Sequence, residues 1–600
     1  MKNPRGCCAQ PRATAGESHR NRRWFGGLIA VLCGLGVVLP GIAQAQAREQ
    51  ASLGDLQIPA SRVPVWRPLD HLPLDTSGWR VQPVPCGSHM NIVNAINSAT
   101  PNTVLQLPAN CTYVIPSGTI NLNRSRVVLR GAPDLSSVLE FQHTDQAGIL
   151  VGLRGYPPNQ VFGNGRAWTG GFHLGDQVLT LAHTNGLQVG DWVRLLANSE
   201  PDWHSRARNG YSAKLTCVGT TGSHPACQSL SSNQVRLDRP LNSEFTQGGT
   251  ILEQATGNFV EYAGIERVRI QHQTPERIES YRSRITFEDC HECWLTDSSL
   301  GDAGNAHVTM GDVARILIRG NRFGSNQCTD EGQRCNWNKG AVYYNDHTYD
   351  TVFENNVLVD TPSGPLLQNG GGNVVAYNYM TANPSVECER HVFLHGQGVR
   401  ASLIEGNDVS CMIEWDSYRD GQGYYNMIYR NRLRGTPSTG QSFGGYYRGR
   451  LGGEMQGSFI HRFITVIGNH VNELMGGPFP NGLGIDFSSD ATHQHRDTWV
   501  SYNISRSAQQ FDDRAVRTTR LENYVGNGPR SSWSSMTFPA SMYRTDPPSW
   551  WCEESGPFPN IGAPSDRVGS YGRLPAQIRL EGGPCTPVGG FPAPHFLPNS

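Results

Sequence analysis

The amino-acid sequence predicts an all-β protein whose main body is a right-handed parallel β-helix (solenoid), with a small β insertion and an irregular C-terminal tail. Two properties of the composition point to β structure. Glycine (68 residues) and proline (38) are abundant, and charged residues make up only 17% of the 600 residues. Disordered chains usually carry more charge, and helical proteins usually contain less glycine. A short recurring phrase centred on asparagine then indicates which β fold to expect.

The phrase consists of a few strand-like residues, an asparagine and then a hydrophobic residue, as in 318–323 and 353–358. Successive asparagines are 20 to 38 residues apart, which fits stacked coils with loop insertions and is too short for the four-stranded blades of a propeller. We expect each asparagine to adopt a left-handed turn and to hydrogen-bond to the next asparagine of the stack. The asparagines of the phrase are Asn321, Asn356, Asn378, Asn407, Asn431, Asn469, Asn503 and Asn523.

Changes of pattern along the chain define six predicted segments. Residues 91–98 form an amphipathic pattern that predicts a short helix over the open end of the first coil. Beyond residue 152 the asparagine phrase stops, and short runs such as 178–181 predict antiparallel strands. The segments are a leader (1–47), an N-terminal extension (48–84), the cap helix and first coils (85–152), the β insertion (153–257), the main β-helix (258–530) and a Pro/Gly-rich tail (531–600).

The N-terminus has the pattern of an export signal. Arginines precede the apolar run 28–39, small residues at 43–47 offer cleavage positions, and Arg22 and Arg23 resemble a twin-arginine signal. Removing six Lys/Arg and one Glu with the leader changes the formal net charge from -1 to about -6. We expect an exported protein, periplasmic or secreted, with no membrane span in the mature chain and no nucleic-acid partner.

Twelve cysteines remain after the leader, and an even number in an exported protein favours disulfides. Pairing of neighbours along the chain is the simplest hypothesis. Cys290-His-Glu-Cys293 also has the spacing of a redox or zinc motif, but no second pair lies at zinc-ribbon spacing, so the structural interpretation is favoured. The expected pairs are 86–111, 217–227, 290–293, 328–335, 388–411 and 552–585.

The stacked asparagine phrases resemble the pectate-lyase-like right-handed β-helix superfamily over roughly residues 85–530. The resemblance implies the fold, and that fold hosts lyases, hydrolases, epimerases and inert adhesins. The sequence lacks the Asn-Thr-Asp, Gly-His-Gly and Arg-Ile-Lys set of polygalacturonases, the arginine-centred motif of classical pectate lyases and the Asp-Pro-His motif of alginate epimerases. No catalytic residue is therefore carried over by motif.

A second strand precedes each asparagine phrase and ends in polar residues, which stacking is expected to gather along one side of the solenoid. A shallow groove of this kind suits a sugar chain. The segment 414–420 stands out because acidic and basic residues crowd together in a weakly charged protein. The predicted catalytic residues are Glu414, Asp416, Arg419, Asp420, His395, His391, Lys339, Asp346 and His347. The predicted substrate-binding residues are Trp415, Tyr418, Tyr344, Asn369, Tyr446 and Arg448.

These residues favour an enzyme that acts on an extracellular polysaccharide. The first hypothesis is a lyase, in which a base removes the C5 proton of a uronic acid while cations or amides neutralise its carboxylate. Calcium is a possible neutraliser, and the sequence identifies no metal ligands. The second hypothesis is a glycoside hydrolase with paired carboxylates such as Glu414 and Asp416. The third is a non-catalytic glycan-binding or surface β-helix. Histidines and arginines beside amides lead us to favour the lyase.

Overall fold

The structure is a computed structural model that describes most of the chain between residues 56 and 588. The predicted leader lies outside the described residues. The internal gaps are 57, 60–61, 143–147, 154–161, 197–209, 246–250, 256–258, 273–282, 302, 304–305, 325–339, 346, 362, 382–389, 396–397, 411, 416–423, 435–450, 454–459, 463, 472–482, 488–493, 497–498, 502, 506–507, 512–518, 522–523, 526–537 and 563–571.

The main body is a right-handed parallel β-helix, as the sequence predicts, and each full coil passes through four parallel sheets. Sheet A comprises Arg80–Pro83, Thr103–Gln106, Val127–Arg130, Gly264–Glu266, Trp294–Thr296, Leu317–Arg319, Val352–Glu354, Val374–Ala376, Leu403–Glu405, Met427–Tyr429, Thr465–Ile467, Trp499–Ser501 and Thr519–Leu521. Sheet B comprises Cys111–Ile115, Ser137–Phe141, Arg269–His272, Ser299–Leu300, Arg322–Phe323, Val357–Leu358, Tyr379–Met380, Asp408–Val409, Arg432–Leu433, His470–Val471, Ile504–Ser505 and Tyr524–Val525.

The other two sheets complete each coil. Sheet C comprises Ile120–Leu122, Ile149–Gly152, Ile285–Glu288, Val308–Gly311, Val342–Tyr344, Leu366–Leu367, Arg390–Leu394, Met412–Trp415, Leu451–Gly453, Leu483–Phe487 and Ala508–Phe511. Sheet D comprises Val260–Glu261, Cys290–His291, Val313–Ala314, Thr348–Tyr349, Gly370–Gly371 and Val399–Arg400, and a separate pair joins Ile460–Arg462 to Gln494–Arg496.

The interior is filled by the central residues of the short strands. In sheet A the side chains of Ile265, Leu295, Ile318, Phe353 and Val375 stack in register and are at most 1% exposed. Burying each such side chain contributes roughly 1.5–3 kcal/mol. Since no single coil encloses this apolar face, the coils are stable only as a stack.

A ladder of asparagine amides follows sheet A, as predicted. Asn431, for example, accepts hydrogen bonds from the backbone N–H and Nδ2 of Asn407 and donates its own Nδ2 to Oδ1 of Asn469. The predicted backbone geometry was wrong. From Asn321 to Asn469, the left-handed conformation belongs to the residue before the ladder asparagine, such as Tyr377 (φ 55°) and Arg430 (φ 52°). The ladder asparagine is free to point inward because its predecessor makes the turn. The ladder comprises Asn321, Asn356, Asn378, Asn407, Asn431, Asn469 and Asn503, and Asn523 lies outside the described residues.

A short helix, Met90–Ser98, covers the first coil, close to its predicted position. Ile92, Ala95 and Ile96 form its buried face and join the core of the solenoid. This face follows the i, i+3, i+4 spacing of an amphipathic helix. The other described helices are Pro575–Leu580 and the 3-10 turns Pro225–Ser229 and Glu553–Ser555.

The predicted β insertion is a closed antiparallel barrel of six strands. Leu179, Val193, Leu195 and Val235 are fully buried in its own core. The barrel packs on sheet D, where Trp192 of the barrel forms a buried cluster with Ala314 and Tyr349. The barrel strands are Phe162–Gly170, Val178–Leu181, Trp192–Leu196, Gly210–Val218, Gln234–Leu237 and Ile251–Ala255.

Described residues of the N-terminal extension and of the C-terminal tail cover the outer face of sheet A. Trp66 and Leu69 from the N-terminal extension and Tyr543 and Trp551 from the tail share one buried cluster with sheet A residues such as Tyr377. Apart from its short helices, the described part of the tail is irregular. In the described residues, no helix is long and apolar enough to cross a membrane.

Three of the six expected disulfides are present: Cys86–Cys111, Cys217–Cys227 and Cys552–Cys585. They indicate maturation in an oxidising compartment, as expected of an exported protein. The expected 290–293 bond is absent, because Cys290 and Cys293 are free, buried thiols. At least one member of each of the pairs 328–335 and 388–411 lies outside the described residues.

Candidate functional site

The outer face of sheet C carries a row of large side chains in register across neighbouring coils. Tyr343 pairs with Leu366, Leu366 with Phe393, and Phe393 with Glu414. All four are buried, with 2–8% of their surface exposed. We call these residues the support row. They point outward because their strand neighbours, such as Ile413 and Leu394, belong to the interior core.

Two residues further along the same strands lies a second row, formed by Asn345, Gln368 and His395, which we call the polar row. Backbone hydrogen bonds extend the parallel ladder to these residues: the Gln368 N–H donates to the carbonyl of Tyr344 (3.0 Å), and the His395 N–H to that of Leu367 (2.7 Å). All three side chains are half-buried. Adjacent members are about 4.8 Å apart, so the row spans about 10 Å along the solenoid axis.

Contacts between the rows hold the polar side chains in place. The Tyr343 hydroxyl donates a hydrogen bond to Oε1 of Gln368 in the next coil. The rings of Phe393 and His395 lie 4.7 Å apart between centroids. These contacts also confirm that both rows share the outer face. Buried members of the support row therefore position half-buried members of the polar row.

Two predicted substrate-binding residues point the other way. Tyr344 (0% exposed) and Trp415 (2%) belong to the interior core of the solenoid. A substrate on the outside cannot reach either ring, so their predicted contact with substrate was wrong. The pKa of Tyr344 is raised by its burial, as expected for a phenol in an apolar interior.

His391 and His395 lie in different environments, although sequence analysis grouped them. His391 is fully buried, and its Nε2 lies 3.1 Å from the carbonyl oxygen of Thr361. Burial lowers the pKa of His391 to about 3, which keeps its ring neutral. His395 is half-buried at the end of the same strand and lies in the polar row.

His347 lies in the turn between sheets C and D, at the junction with the barrel. Its Nδ1 is 2.5 Å from Oδ1 of Asp312 in the preceding coil. Arg194 of the barrel reaches both groups at 3.4 Å and also bonds Glu253 at 2.8 Å. These contacts make His347 part of an ionic contact between barrel and solenoid, and a catalytic role for it stays a prediction.

The remaining candidates are mostly beyond what the structure describes. Asn369 is described, and it is buried in the turn that follows Gln368. Within the described parts of the chain, no group of three or more His, Cys, Asp or Glu side chains could hold a metal ion. The candidates outside the described residues are Lys339, Asp346, Asp416, Tyr418, Arg419, Asp420, Tyr446 and Arg448.

Tyr343 and Phe393 belong to the candidate site but were not among the predicted residues. The predicted residues on the same strands are Tyr344, next to Tyr343, and His391, two residues before Phe393. A strand of three residues, Val342–Tyr344, contains too few residues to show which of them face outward. The signal that identifies the outward residue is register with the next coil, because every interior position of one strand pairs with an interior position of the next.

Comparison with known proteins gives similarity of fold only. No protein-family model and no curated sequence matches the chain. Among solved structures, the tailspike gp61 of Pseudomonas phage phi297 is similar over 74% of each chain, with 11% identity and a TM-score of 0.38. PfbA, a surface adhesin of Streptococcus pneumoniae, covers 73% of this chain and 86% of its own (10% identity, TM-score 0.37). An alginate lyase from Paenibacillus covers 67% of this chain and 99% of its own, with 10% identity and a TM-score of 0.30.

The coils themselves establish the fold. Four sheets of stacked parallel strands around one apolar interior, with an asparagine ladder at one corner, form a right-handed parallel β-helix. Identities of 10–11% carry no information about the reaction. What the protein does is therefore argued from its own side chains.

Proposed function

We propose that the protein is an exported polysaccharide lyase that cleaves uronic-acid-containing glycans by β-elimination at the polar row. The observation that carries this proposal is the half-buried His395 in line with the amides of Gln368 and Asn345 in the two preceding coils. A linear row along the solenoid axis suits a linear polymer, and it offers a base beside hydrogen-bond donors.

In the proposed reaction His395 acts as the base. Its unprotonated ring nitrogen takes the C5 proton of a uronate, the C5–H electron pair forms the C4=C5 double bond, and the C4–O bond breaks. The leaving oxygen stays on the neighbouring sugar and takes up a proton from the imidazolium or from water. Negative charge develops on the uronate carboxylate before the bond breaks, so donors aimed at that group lower the barrier.

Calcium does not fit the described polar row. Calcium prefers several carboxylate or carbonyl oxygens, whereas this row offers two amides and one imidazole. Glu414 is the one carboxylate among the described residues of the two rows, and it is buried. We therefore derive no step through a metal ion.

The experiment is to incubate the mature protein with a panel of polyuronates, with and without calcium, and to follow the ultraviolet absorbance of the unsaturated product. Wild type is expected to raise the absorbance with at least one polyuronate, and His395→Gln is expected to lower the rate by about 100-fold or more. His183→Gln, at an exposed site on the barrel, is the matched control and should retain full activity. Equal rates for wild type and His395→Gln would overturn the role of His395.

A hydrolase is the second candidate because Glu414 lies in register beside Phe393 and so next to the polar row. With two residues along one strand and one strand spacing between them, the Cα atoms of Glu414 and His395 are roughly 8 Å apart. Wild type would then produce new reducing ends without the ultraviolet signal, and Glu414→Gln would produce neither. This result would identify a hydrolase instead of a lyase. Glycan binding without either signal would indicate a binding protein.

A further inference from the structure

We propose that Gln368 recognises the carboxylate of the uronate and selects acidic over neutral or esterified glycans. This inference rests on the proposed function and names the residue that reads the substrate's acid group. Gln368 is the central member of the polar row, with Asn345 in the coil before it and His395 in the coil after it. A sugar whose C5–H faces His395 therefore carries its carboxylate within one coil spacing of Gln368, about 4.8 Å.

The support row fixes which end of the Gln368 amide faces a ligand. The Tyr343 hydroxyl donates to Oε1, so the acceptor end of the amide is directed at the tyrosine. The Nε2 group, with its two N–H donors, is then the end directed away from Tyr343. A carboxylate accepts hydrogen bonds from such donors, whereas a hydroxyl or an ester offers weaker acceptors.

Tyr343 is well placed to hold this orientation. It is 6% exposed, and its ring is packed in a cluster with Ala306, Leu366 and Phe393. A side chain locked by packing keeps its hydrogen-bond partner in one arrangement, which lowers the entropy cost of binding. Tyr343 is therefore a positioning residue for Gln368, and Phe393 has the same relation to His395.

Electrostatics agrees with a neutral donor at this position. Glu414 is the only carboxylate of the support row, and it lies three coils beyond Tyr343 and two coils beyond Leu366, the row member on the strand of Gln368. The described part of the polar row carries no carboxylate of its own that would repel a uronate. The side-chain amides of Asn345 and Gln368 then stabilise the negative charge on the uronate carboxylate, a role that a cation can also perform in a lyase.

The test compares Gln368→Leu and Gln368→Glu with wild type on a polyuronate and on its methyl ester. On the free acid, Gln368→Leu should lower kcat/KM by about 10- to 100-fold, since a hydrogen bond to a charged group is lost. Gln368→Glu should lower it further, because its carboxylate repels the substrate. On the methyl ester both losses should be several-fold smaller. Tyr343→Phe should show the pattern of Gln368→Leu in weaker form.

Gln188→Glu, at an exposed site on the barrel, is the charge-matched control and should leave both rates unchanged. Wild-type activity with equal losses on acid and ester, or with none, would overturn the inference and leave the proposed function standing. Should wild type cleave no polyuronate, isothermal titration with the same glycans decides. If wild type binds the free acid and Gln368→Glu does not, the inference about Gln368 is supported although the lyase activity is not. Equal binding by wild type and Gln368→Glu would overturn the inference.

Discussion

Arg544 and Glu354 are 190 residues apart in the sequence and form a bidentate ion pair on the outer face of sheet A. Nη2 of Arg544 lies 2.9 Å from Oε1 and 2.7 Å from Oε2 of Glu354, while Nη1 bonds both oxygens of Asp70. One guanidinium therefore links the tail, the solenoid and the N-terminal extension. Burial alone would raise the pKa of Glu354, but Arg544 and Arg319 hold it below its usual value.

Arg544→Met should destabilise the protein by about 3 kcal/mol, because it removes one of the two arginines that contact the buried carboxylate of Glu354 and leaves Arg319 and the Tyr543 hydroxyl beside it. The urea midpoint of unfolding measures the effect. Arg573→Met breaks an ion pair with Glu581 in which both side chains are nearly half exposed, so its effect should stay below about 1 kcal/mol. Equal shifts in the two variants would contradict a special role of the buried pair.

The asparagine ladder makes a second prediction about stability. Asn431 accepts from the backbone N–H of Asn407 and donates to the carbonyl of Ile404 (2.9 Å each), in addition to its amide contacts. Asn431→Leu has a similar volume but leaves these buried groups without partners, so we expect a loss of about 3 kcal/mol or more.

Thermal unfolding of Asn431→Leu checks this, with Asn121→Leu as the control. Asn121 lies on sheet C but is exposed, and its replacement should change stability by less than about 0.5 kcal/mol. If Asn431→Leu melts at the wild-type temperature, the ladder hydrogen bonds do not contribute to the stability of the folded protein.

The free thiols of Cys290 and Cys293 should be inert in the folded protein. Both are fully buried, and burial together with the neighbouring Cys293 raises the pKa of Cys290, which disfavours the reactive thiolate. We expect iodoacetamide to label both residues only in denaturant, as peptide mapping by mass spectrometry would show. The peptides of Cys86 and Cys111 serve as the control and should remain linked until a reductant is added. A disulfide-linked 290–293 peptide would contradict the prediction.

The parallel β-helix followed from the asparagine phrase because the spacing between asparagines reports the length of a coil. The conformation of the turn did not follow, since Tyr377 and Arg430 are not residues that usually adopt a left-handed φ. They adopt it because the stack pairs the next residue, the ladder asparagine, with its neighbours above and below.

The sequence placed candidate residues on the strands of sheet C but did not show which of their side chains face outward. His395 was predicted and lies in the polar row, whereas Trp415 was predicted and lies in the core. Contacts between residues far apart in the sequence could not be predicted either. Arg194 and Asp312 are 118 residues apart, and only the packing of the barrel on sheet D brings them together.

Asp289 lies in the turn before sheet D, in the coil that precedes Asp312, and is 3% exposed. Burial, reinforced by the charges of Asp312 and Glu288 and opposed by Arg194, raises its pKa to about 7. An unfolded chain releases this proton near pH 4. The folded state therefore binds more protons than the unfolded state between about pH 4 and pH 7, so Asp289 makes stability fall as the pH rises through this range.

Asp289→Asn should remove this dependence, because the amide is neutral at every pH and asparagine tolerates the left-handed φ of 48°. Relative to wild type, the variant should gain on the order of 2–4 kcal/mol of stability between pH 4 and pH 8. Urea unfolding at several pH values measures the difference. Asp75→Asn is the control: Asp75 is exposed and its pKa is lowered by hydrogen bonds from Ser77, so the difference from wild type should stay constant over this range. A constant difference for Asp289→Asn as well would mean that Asp289 is already ionised in the folded protein at pH 4, because only a proton held by the folded state and lost by the unfolded chain changes the difference with pH.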